Sequence, residues 1–334
     1  MNALPDPRTL DLIPEQTVPV TVLTGFLGSG KTSLIRRLLA LPQAADTAVI
    51  VNEFGEIGLD HLLIESVDEN IVVLPGGCLC CQAQGDLARA LRSLQDKVAL
   101  GRIPPFARVI VETSGLAYPT AILQAFVSDP LRLSRYRLTG LVTVIDAVLG
   151  LGQIWRHETA RAQLALADRL LVTKLDLTDE RGRSRLMNEL RRLSGVPIEA
   201  AATDAQLATQ LFDMAPAVHQ HLTSVATWHA AAFDSLVLRL SSPVDLHAFQ
   251  AGIENLAHQR GESLLRLKAM ADITGDDRPV SFHAVQHLVA PPRFLEAIPR
   301  TAPRVLVAIF MAGAGEDIRR DLRDVMVRAV EGVR

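Results

Sequence analysis

The chain has 334 residues, of which 49% are hydrophobic and 21% are charged. This composition supplies a large core and excludes an intrinsically disordered chain, and the length fits two domains better than one. With 34 basic and 37 acidic residues the net charge is −3, so we expect neither a nucleic acid nor a membrane as a partner.

The start of the chain and its apolar runs bear on where the protein works. Residues 1–17 are polar, contain three prolines and lack the basic and apolar regions of a secretory signal. The apolar runs fall short of the roughly 18 residues that span a bilayer. We therefore expect a flexible tail over 1–17 and a cytoplasmic protein.

Apolar strand patterns alternate with helical patterns over residues 18–222. The predicted strands lie within the segments 18–25, 47–55, 70–78, 106–115, 139–147 and 167–176. Helical patterns include residues 33–41 and 85–95. Such alternation is typical of βαβ units, so this part is predicted to be an α/β domain with a doubly wound, mostly parallel sheet.

The pattern changes after residue 222. Strand patterns follow at 233–240, 264–273, 279–289 and 304–313, and helical patterns at 245–260 and 316–332. Pro243 is expected near the start of the first of these helices, with Ser242 as its N-cap. Residues 223–334 are therefore predicted to form a small α+β domain.

A phosphate-binding loop is the strongest motif. GFLGSGKT, residues 25–32, fits G-x-x-x-x-G-K-[ST] between a predicted strand and a predicted helix. Its backbone N–H groups form an anion nest, Lys31 reaches the β- and γ-phosphates, and the Thr32 hydroxyl is a magnesium ligand. The expected nucleotide-binding residues here are Gly25, Phe26, Leu27, Gly28, Ser29, Gly30, Lys31, Thr32 and Ser33.

A second nucleotide motif is VIVETSG, residues 109–115. An acid at the end of an apolar strand is a Walker B pattern. Glu112 is therefore expected to hold a magnesium-bound water or to organise the attacking water. Gly115 is expected to donate its N–H to the γ-phosphate. Lys31, Glu112 and Gly115 are thus candidate catalytic residues.

The third nucleotide motif is TKLD, residues 173–176. The Asp176 carboxylate can accept hydrogen bonds from the N1–H and N2–H₂ groups of guanine, which adenine lacks. The stem of Lys174 would cover the base. Thr173 stands where the usual guanine motif has Asn, and its hydroxyl can make some of the same bonds.

The chain contains three cysteines, Cys78, Cys80 and Cys81, all in GGCLCC. Thiols at C-x-C-C spacing can converge on one ion, and Zn²⁺ suits such a site, with Cu⁺, Co²⁺ or Ni²⁺ as chemical alternatives. A redox pair and buried apolar cysteines are the other interpretations. The flanking segments 76–77 and 82–85 are expected to be loop.

Residues 52–60, NEFGEIGLD, lie between the phosphate loop and the cysteines. In nucleotide switches a loop in this place senses the γ-phosphate and magnesium. Glu53 is expected to face Mg²⁺ or its water and so to take part in catalysis. Glu56 is expected to reach the ion held by the cysteines. These two roles would couple nucleotide to metal.

Together these motifs resemble the CobW-type family of metal-handling GTPases, related to the nickel-insertion GTPases of urease and hydrogenase maturation. VTVIDA (142–147) and the C-terminal stretch over 264–292 extend the similarity to roughly residues 18–310. The resemblance implies a P-loop GTPase of the SIMIBI class that uses GTP and Mg²⁺. It also implies a metallochaperone that delivers Zn²⁺, or Co²⁺, to a client metalloprotein. Relatives often pair across their nucleotide sites, so a nucleotide-dependent homodimer is an open expectation.

Two other functions stay open at this point. One is an assembly switch in which the cysteines hold a structural zinc, and the other is a metal sensor or buffer. His283 and His287 are expected on one strand with their side chains on the same face, which would allow a secondary metal site or a partner surface there.

Overall fold

The computed structural model describes residues 17–51, 71–73, 79–128, 133, 135–201, 204–213, 233–295 and 304–331. The helices are α1 (Lys31–Leu39), α2 (Leu79–Ala99), α3 (Thr120–Ser128), α4 (Gly150–Arg156), α5 (Glu158–Leu166), α6 (Glu180–Leu193), α7 (Asp204–Phe212), α8 (Leu246–Arg260) and α9 (Gly315–Glu331). The predicted domain boundary at 222/223 and most of the predicted tail lie outside these residues.

The strands form two sheets. They are β1 (Val18–Thr24), β2 (Thr47–Val51), β3 (Ile71–Val73), β4 (Arg108–Glu112), β5 (Tyr136–Asp146), β6 (Arg169–Thr173), β7 (Ile198–Ala200), β8 (Phe233–Arg239), β9 (Leu264–Ile273), β10 (Asp276–Val285), β11 (Leu288–Val289), β12 (Arg293–Phe294) and β13 (Val305–Met311).

The first sheet has seven strands in the order β3-β2-β4-β1-β5-β6-β7. Each neighbouring pair in it is parallel. Successive residues of a strand point to opposite sides of the sheet. Both faces are therefore apolar, and helices cover each of them. Val20 and Val22 of β1 join one core cluster, and Leu23 joins another with Ile110 and Val142. The predicted doubly wound parallel sheet is confirmed.

The second sheet runs β11-β10-β9-β13-β8, with β12 paired to β10. Its ladders are antiparallel, and with α8 and α9 they form an α+β unit. One face packs on α8 and α9, where Phe249 and Phe282 meet edge to face. The other face meets the first domain, since Phe233, Leu265 and Ile309 belong to that domain's core.

The observed elements correct three expectations. Helix α8 is capped by Asp245, whose carboxylate accepts a hydrogen bond from the N–H of Ala248, and Ser242 is not the cap. Helix α2 already begins at Leu79, so residues 82–85 are helical rather than loop. β10 ends at Val285, and His287 lies in the following turn, so His283 and His287 do not share a strand.

No helix in the part of the chain that the structure describes is long and apolar enough to cross a membrane.

Candidate nucleotide site

The nucleotide motifs meet at one edge of the parallel sheet. Thr24, Glu112, Asp146 and Thr173 are the last residues of β1, β4, β5 and β6. These four strands are adjacent in the sheet. Ligands of open α/β sheets bind beyond the carboxyl ends of the strands, because loops and helix N-termini converge there. The fold thus assembles motifs that lie far apart in the chain.

The phosphate loop depends on glycine at three points. Gly25, Gly28 and Gly30 have φ of 146°, 74° and 93°, which other residues rarely adopt. A Cβ at Gly25 would also collide with the carbonyl oxygen of Val144. The loop therefore folds tightly against β5 and enters α1 at Lys31.

Lys31 is buried in its own loop, with 7% of its surface exposed. Its Nζ donates a hydrogen bond of 2.8 Å to the carbonyl oxygen of Gly25. A buried ammonium group beside backbone N–H groups at a helix N-terminus is suited to bind phosphate. The ammonium group of Lys31 thus lies against the backbone of the phosphate loop.

Thr32 and Glu112 meet across the site, although 80 residues separate them in the chain. The Thr32 hydroxyl donates to Oε1 of Glu112 at 2.7 Å, and Glu112 is only 4% exposed. Hydroxyl and carboxylate oxygens are the ligands that Mg²⁺ prefers in proteins. These two residues therefore fit a magnesium ion beside the phosphate loop.

Gly115 packs directly on the phosphate loop. A Cβ built on Gly115 would lie 2.7 Å from the backbone nitrogen of Leu27, so only glycine fits. Thr113, between Glu112 and Gly115, donates from its hydroxyl to that of Thr24 at 2.8 Å. The segment after β4 is thereby held against the end of β1.

The TKLD motif clamps the other side of the loop. The Thr173 hydroxyl donates to the carbonyl oxygen of Ser29 at 2.7 Å. Lys174 Nζ donates to the carbonyl oxygen of Gly28 and to Asp146 Oδ2, both at 2.6 Å. Lys174 has φ of 58°, which is rare for a residue with a Cβ and common at functional sites.

Asp176 is exposed in the short turn after β6, where a carboxylate is open to a base. Asp146 is a site residue that sequence reasoning missed. It is 1% exposed, and its Oδ1 accepts from the N–H groups of Val148 and Leu149. Burial raises the pKa of Asp146, but the hydrogen bonds from Lys174, Leu149 and Val148 outweigh it and keep the pKa below its usual value. Asp146 could have been found from the sequence, because it is an acid at the end of an apolar strand, as Glu112 is.

The predicted transition-metal site is only partly described. Cys78, Glu53 and Glu56 lie outside the described residues, and of Cys80 and Cys81 the structure gives the backbone alone. That backbone forms the first turn of α2. Among the described residues, no three His, Cys, Asp or Glu side chains lie close enough together to hold a metal ion.

Comparison with known families identifies the fold and its chemistry. The family model for the CobW/HypB/UreG nucleotide-binding domain matches residues 19–197, more than half of the chain. The chain belongs to this family. The model for the cobalamin synthesis protein CobW C-terminal domain matches residues 233–326. The chain is therefore a P-loop GTPase with a CobW-type C-terminal domain, as the resemblance implied.

Curated relatives and a solved structure agree with this assignment. The zinc chaperone YjiA of Escherichia coli (strain K12) is 34% identical over 279 residues, covering 81% of this chain and 87% of YjiA. The zinc chaperone CobW of a Sinorhizobium species is 28% identical over 309 residues, with 80% and 85% covered. The crystal structure of Zn(II)-bound YjiA GTPase from E. coli covers 92% of this chain and 99% of its own, with a TM-score of 0.68 and 28% identity.

Proposed function

We propose that this GTPase is a metallochaperone, which binds a transition metal at Cys78, Cys80 and Cys81 and transfers it to a client metalloprotein. Zinc is the preferred cargo, and the 34% identity to a zinc chaperone over 81% of the chain carries that choice. Cobalt insertion is the alternative, because Co²⁺ also takes tetrahedral thiolate sites. GTP is a cytoplasmic nucleotide, which supports the cytoplasm as the compartment.

The nucleotide half of the mechanism starts from the phosphate loop. The loop N–H groups and Lys31 bind the phosphates, and the N–H of Gly115 is proposed to reach the γ-phosphate. Thr32 and Glu112, 2.7 Å apart, would hold Mg²⁺, which supplies charge neutralisation on the phosphates when it is bound. Asp176 is proposed to accept the N1–H and N2–H₂ of guanine while Lys174 covers the ring.

The metal half starts from the cysteines. Cys80 and Cys81 lie in the first turn of α2, and a helix N-terminus favours the negatively charged thiolate that binds metal. Glu56 is proposed as a further ligand and Glu53 as the residue that faces magnesium or its water. GTP would order residues 52–60 and complete the metal site, and hydrolysis would loosen it.

The decisive experiment titrates Zn²⁺ and Co²⁺ against a competing chelator in the apo, GDP-bound and GTP-analogue-bound protein. We expect metal to bind about 5–150-fold tighter with the GTP analogue than with GDP, and GTP analogue to bind tighter by the same factor with metal. A variant with all three cysteines changed to Ser should lose the effect. Equal metal affinity in all three states would instead favour a structural or buffering metal.

A second measurement tests transfer. The zinc-loaded protein is mixed with GTP and a chromogenic chelator, and zinc release is followed against GTP turnover. We expect release to track hydrolysis in the wild type and to stop in Lys31→Ala, whose cysteines are intact. Release that is equally fast in both proteins would contradict GTP-driven transfer.

We also propose a homodimer formed across the nucleotide site in the GTP state. Exposed apolar side chains occur in the phosphate loop and in the two segments that contact it through Gly115 and Gln153: Leu27, Leu116, Tyr118, Val148, Leu149 and Trp155. Sedimentation velocity with GDP and with a GTP analogue tests this, and Trp155→Ser should weaken the dimer. A monomer under both conditions would overturn it.

A further inference from the structure

Gln163 lies in the middle of α5, and its amide reaches the loop that follows Glu112. Its Nε2 donates to the carbonyl oxygens of Gly115 at 3.1 Å and of Ala117 at 3.2 Å. Gln163 is 0% exposed, so water does not compete for these bonds. Both amide hydrogens are thus committed to one short loop beside the phosphate site.

The Gln163 amide is only half satisfied. Within the described residues its Oε1 is buried and accepts no hydrogen bond. The unsatisfied oxygen is costly, and the two hydrogen bonds that the amide nitrogen donates offset that cost. Both of these bonds go to the loop that carries Gly115, so the position of that loop depends on Gln163.

The loop needs an external restraint because of Gly115. Glycine has the widest backbone freedom of any residue, so it does not hold a peptide N–H in one direction by itself. A larger residue is excluded, because its Cβ would lie 2.7 Å from the nitrogen of Leu27. Fixing the carbonyls of Gly115 and Ala117 from α5 supplies the restraint that the glycine lacks.

Helix α5 is itself held in place. On the first domain, the Thr143 hydroxyl of β5 donates to the carbonyl oxygen of Gln163 at 2.7 Å. From the second domain, Arg266 donates to the carbonyl oxygen of Leu166 at 2.6 Å, at the last residue of the helix. At the N-cap of α5, the His157 ring stacks on Phe26 of the phosphate loop, with centroids 4.6 Å apart.

We propose that Gln163 is a positioning residue for GTP hydrolysis, which holds the Gly115 loop in register with the phosphate loop. Gln163 acts through Gly115 and does not touch nucleotide. The inference rests on the GTPase activity of the family and is independent of the metal site. Losing the restraint should therefore slow turnover without weakening nucleotide binding.

The test is Gln163→Met, which keeps the length of the side chain and removes the amide. Gln210→Met is the matched control, since Gln210 is also buried and donates to a backbone carbonyl, that of Ala200, away from the nucleotide. We expect kcat for GTP to fall about tenfold or more in Gln163→Met, because misplaced catalytic groups lose rate steeply. KM for GTP and the Kd of GDP should stay within about threefold of the wild type, and Gln210→Met should keep the wild-type kcat.

Two results would overturn the proposal. One is a folded Gln163→Met with the same kcat as Gln210→Met, and the other is a loss of kcat/KM that lies entirely in KM. If Gln163→Met does not fold, Gln163→Asn replaces it, because the shorter amide can hold at most one of the two carbonyls. Asn at this position should then lower kcat partially, and a wild-type kcat would overturn the proposal. Lys31→Ala serves as the blank for turnover, and none of these measurements depends on the transition metal.

Discussion

The edge of the sheet that carries the phosphate loop and the interface between the two domains are both polar clusters, but they are built differently. At the nucleotide edge, hydroxyls and backbone carbonyls bond beside the ion pair of Lys174 and Asp146, and Asp176 stays exposed. At the interface, Asp168 is 1% exposed and is paired with two cations.

Buried salt bridges join the two domains at this interface. Asp168 accepts from Lys268 Nζ at 2.7 Å on Oδ1, and from Arg266 at 3.0 Å and the Leu141 N–H at 2.8 Å on Oδ2. Burial and the Arg266 charge lower the pKa of Lys268 to about 8, against the opposing effect of Asp168. The comparison teaches that the ligand site keeps one carboxylate, Asp176, exposed beside an internally paired Lys174 and Asp146, whereas the domain contact buries and pairs all three of its charged groups.

The largest expected effect is at the interface. Asp168→Asn keeps the shape of the side chain but leaves Arg266 and Lys268 without their counter-charge, so we expect a loss of about 3–5 kcal/mol in the free energy of unfolding. Urea denaturation measures it. The control is Asp46→Asn, because Asp46 pairs with Arg108 at a partly exposed site and should cost less than about 1 kcal/mol. Similar losses in the two variants would contradict this account of the interface.

The next effect is at the nucleotide edge. Asp176→Asn removes a charged acceptor for the guanine N1–H and N2–H₂, so we expect GTP affinity to fall about 10–100-fold, measured by fluorescence titration. Inosine triphosphate lacks the N2 amine, so the substitution should lower its affinity less than that of GTP. Asp179→Asn is the matched control, since Asp179 caps α6 and Asn caps a helix equally well. Unchanged GTP affinity in Asp176→Asn would refute the assignment of the base.

The interface should also be acid-sensitive. His283 lies opposite Lys268 on the neighbouring strand, near Arg266, Asp168 and Arg293. Burial, followed by the Lys268 and Arg266 charges, lowers the pKa of His283 to about 3 from its ordinary value of 6.5. The unfolded chain therefore binds a proton between pH 6.5 and 3 that the folded chain does not, and stability falls as the pH falls through that window.

Between pH 7 and pH 5 this group should lower the free energy of unfolding by about 2 kcal/mol. His283→Gln should remove that share of the acid sensitivity, measured as the difference in urea midpoint at the two pH values. His258→Gln, at an exposed position, should leave the acid sensitivity at its wild-type size. Identical pH profiles for wild type and His283→Gln would rule out His283 as the cause.

The smallest effect tests the clamp on the phosphate loop. Thr173→Val removes the hydroxyl that bonds to Ser29, so we expect nucleotide affinity to fall by about 0.5–1.5 kcal/mol, or roughly two- to tenfold. Thr139→Val removes a similar bond, from the Thr139 hydroxyl to the carbonyl oxygen of Val20. This bond lies toward the amino ends of β1 and β5, away from the nucleotide edge. It should leave nucleotide affinity unchanged, and an equal loss in both variants would mean that the clamp has no special role.

The two regions were not equally predictable. The nucleotide edge follows from short segments, because each of Lys31, Glu112 and Thr173 stands at a recognisable step from strand to turn. Asp146 ends such a strand too, and a closer examination of VTVID would have found it. The interface offered no such signal, since Asp168 and its partners Arg266 and Lys268 stand 98 and 100 residues apart in the chain. Gln163 was also missed, because its partners Gly115 and Ala117 lie 48 and 46 residues away. A single glutamine in a helix forms no motif that would reveal them.

The expectation for His283 and His287 failed for a local physical reason. Gln286, between them, takes a left-handed φ of 53° and turns the chain, so the strand predicted over 279–289 becomes a hairpin. A β-branched or apolar pattern does not reveal a single residue with positive φ. The predicted N-cap of α8 was also wrong. Asp245 and Ser242 are both good N-cap residues, and the local sequence does not choose between them.

The amino-acid sequence by itself determined six of the seven strands of the parallel sheet, the α+β character of the second part and the nucleotide motifs, but it did not predict β7. These features depend on hydrophobic periodicity, on the positions of glycines and on polar residues at the ends of strands, all of which lie within a few residues of each other. Only the tertiary structure decided that Lys174 pairs with Asp146, that Gln163 bonds to the Gly115 loop, and that Asp168 neutralises two cations of the other domain. Each is a contact between distant segments, and its partner is set by how the helices and sheets pack.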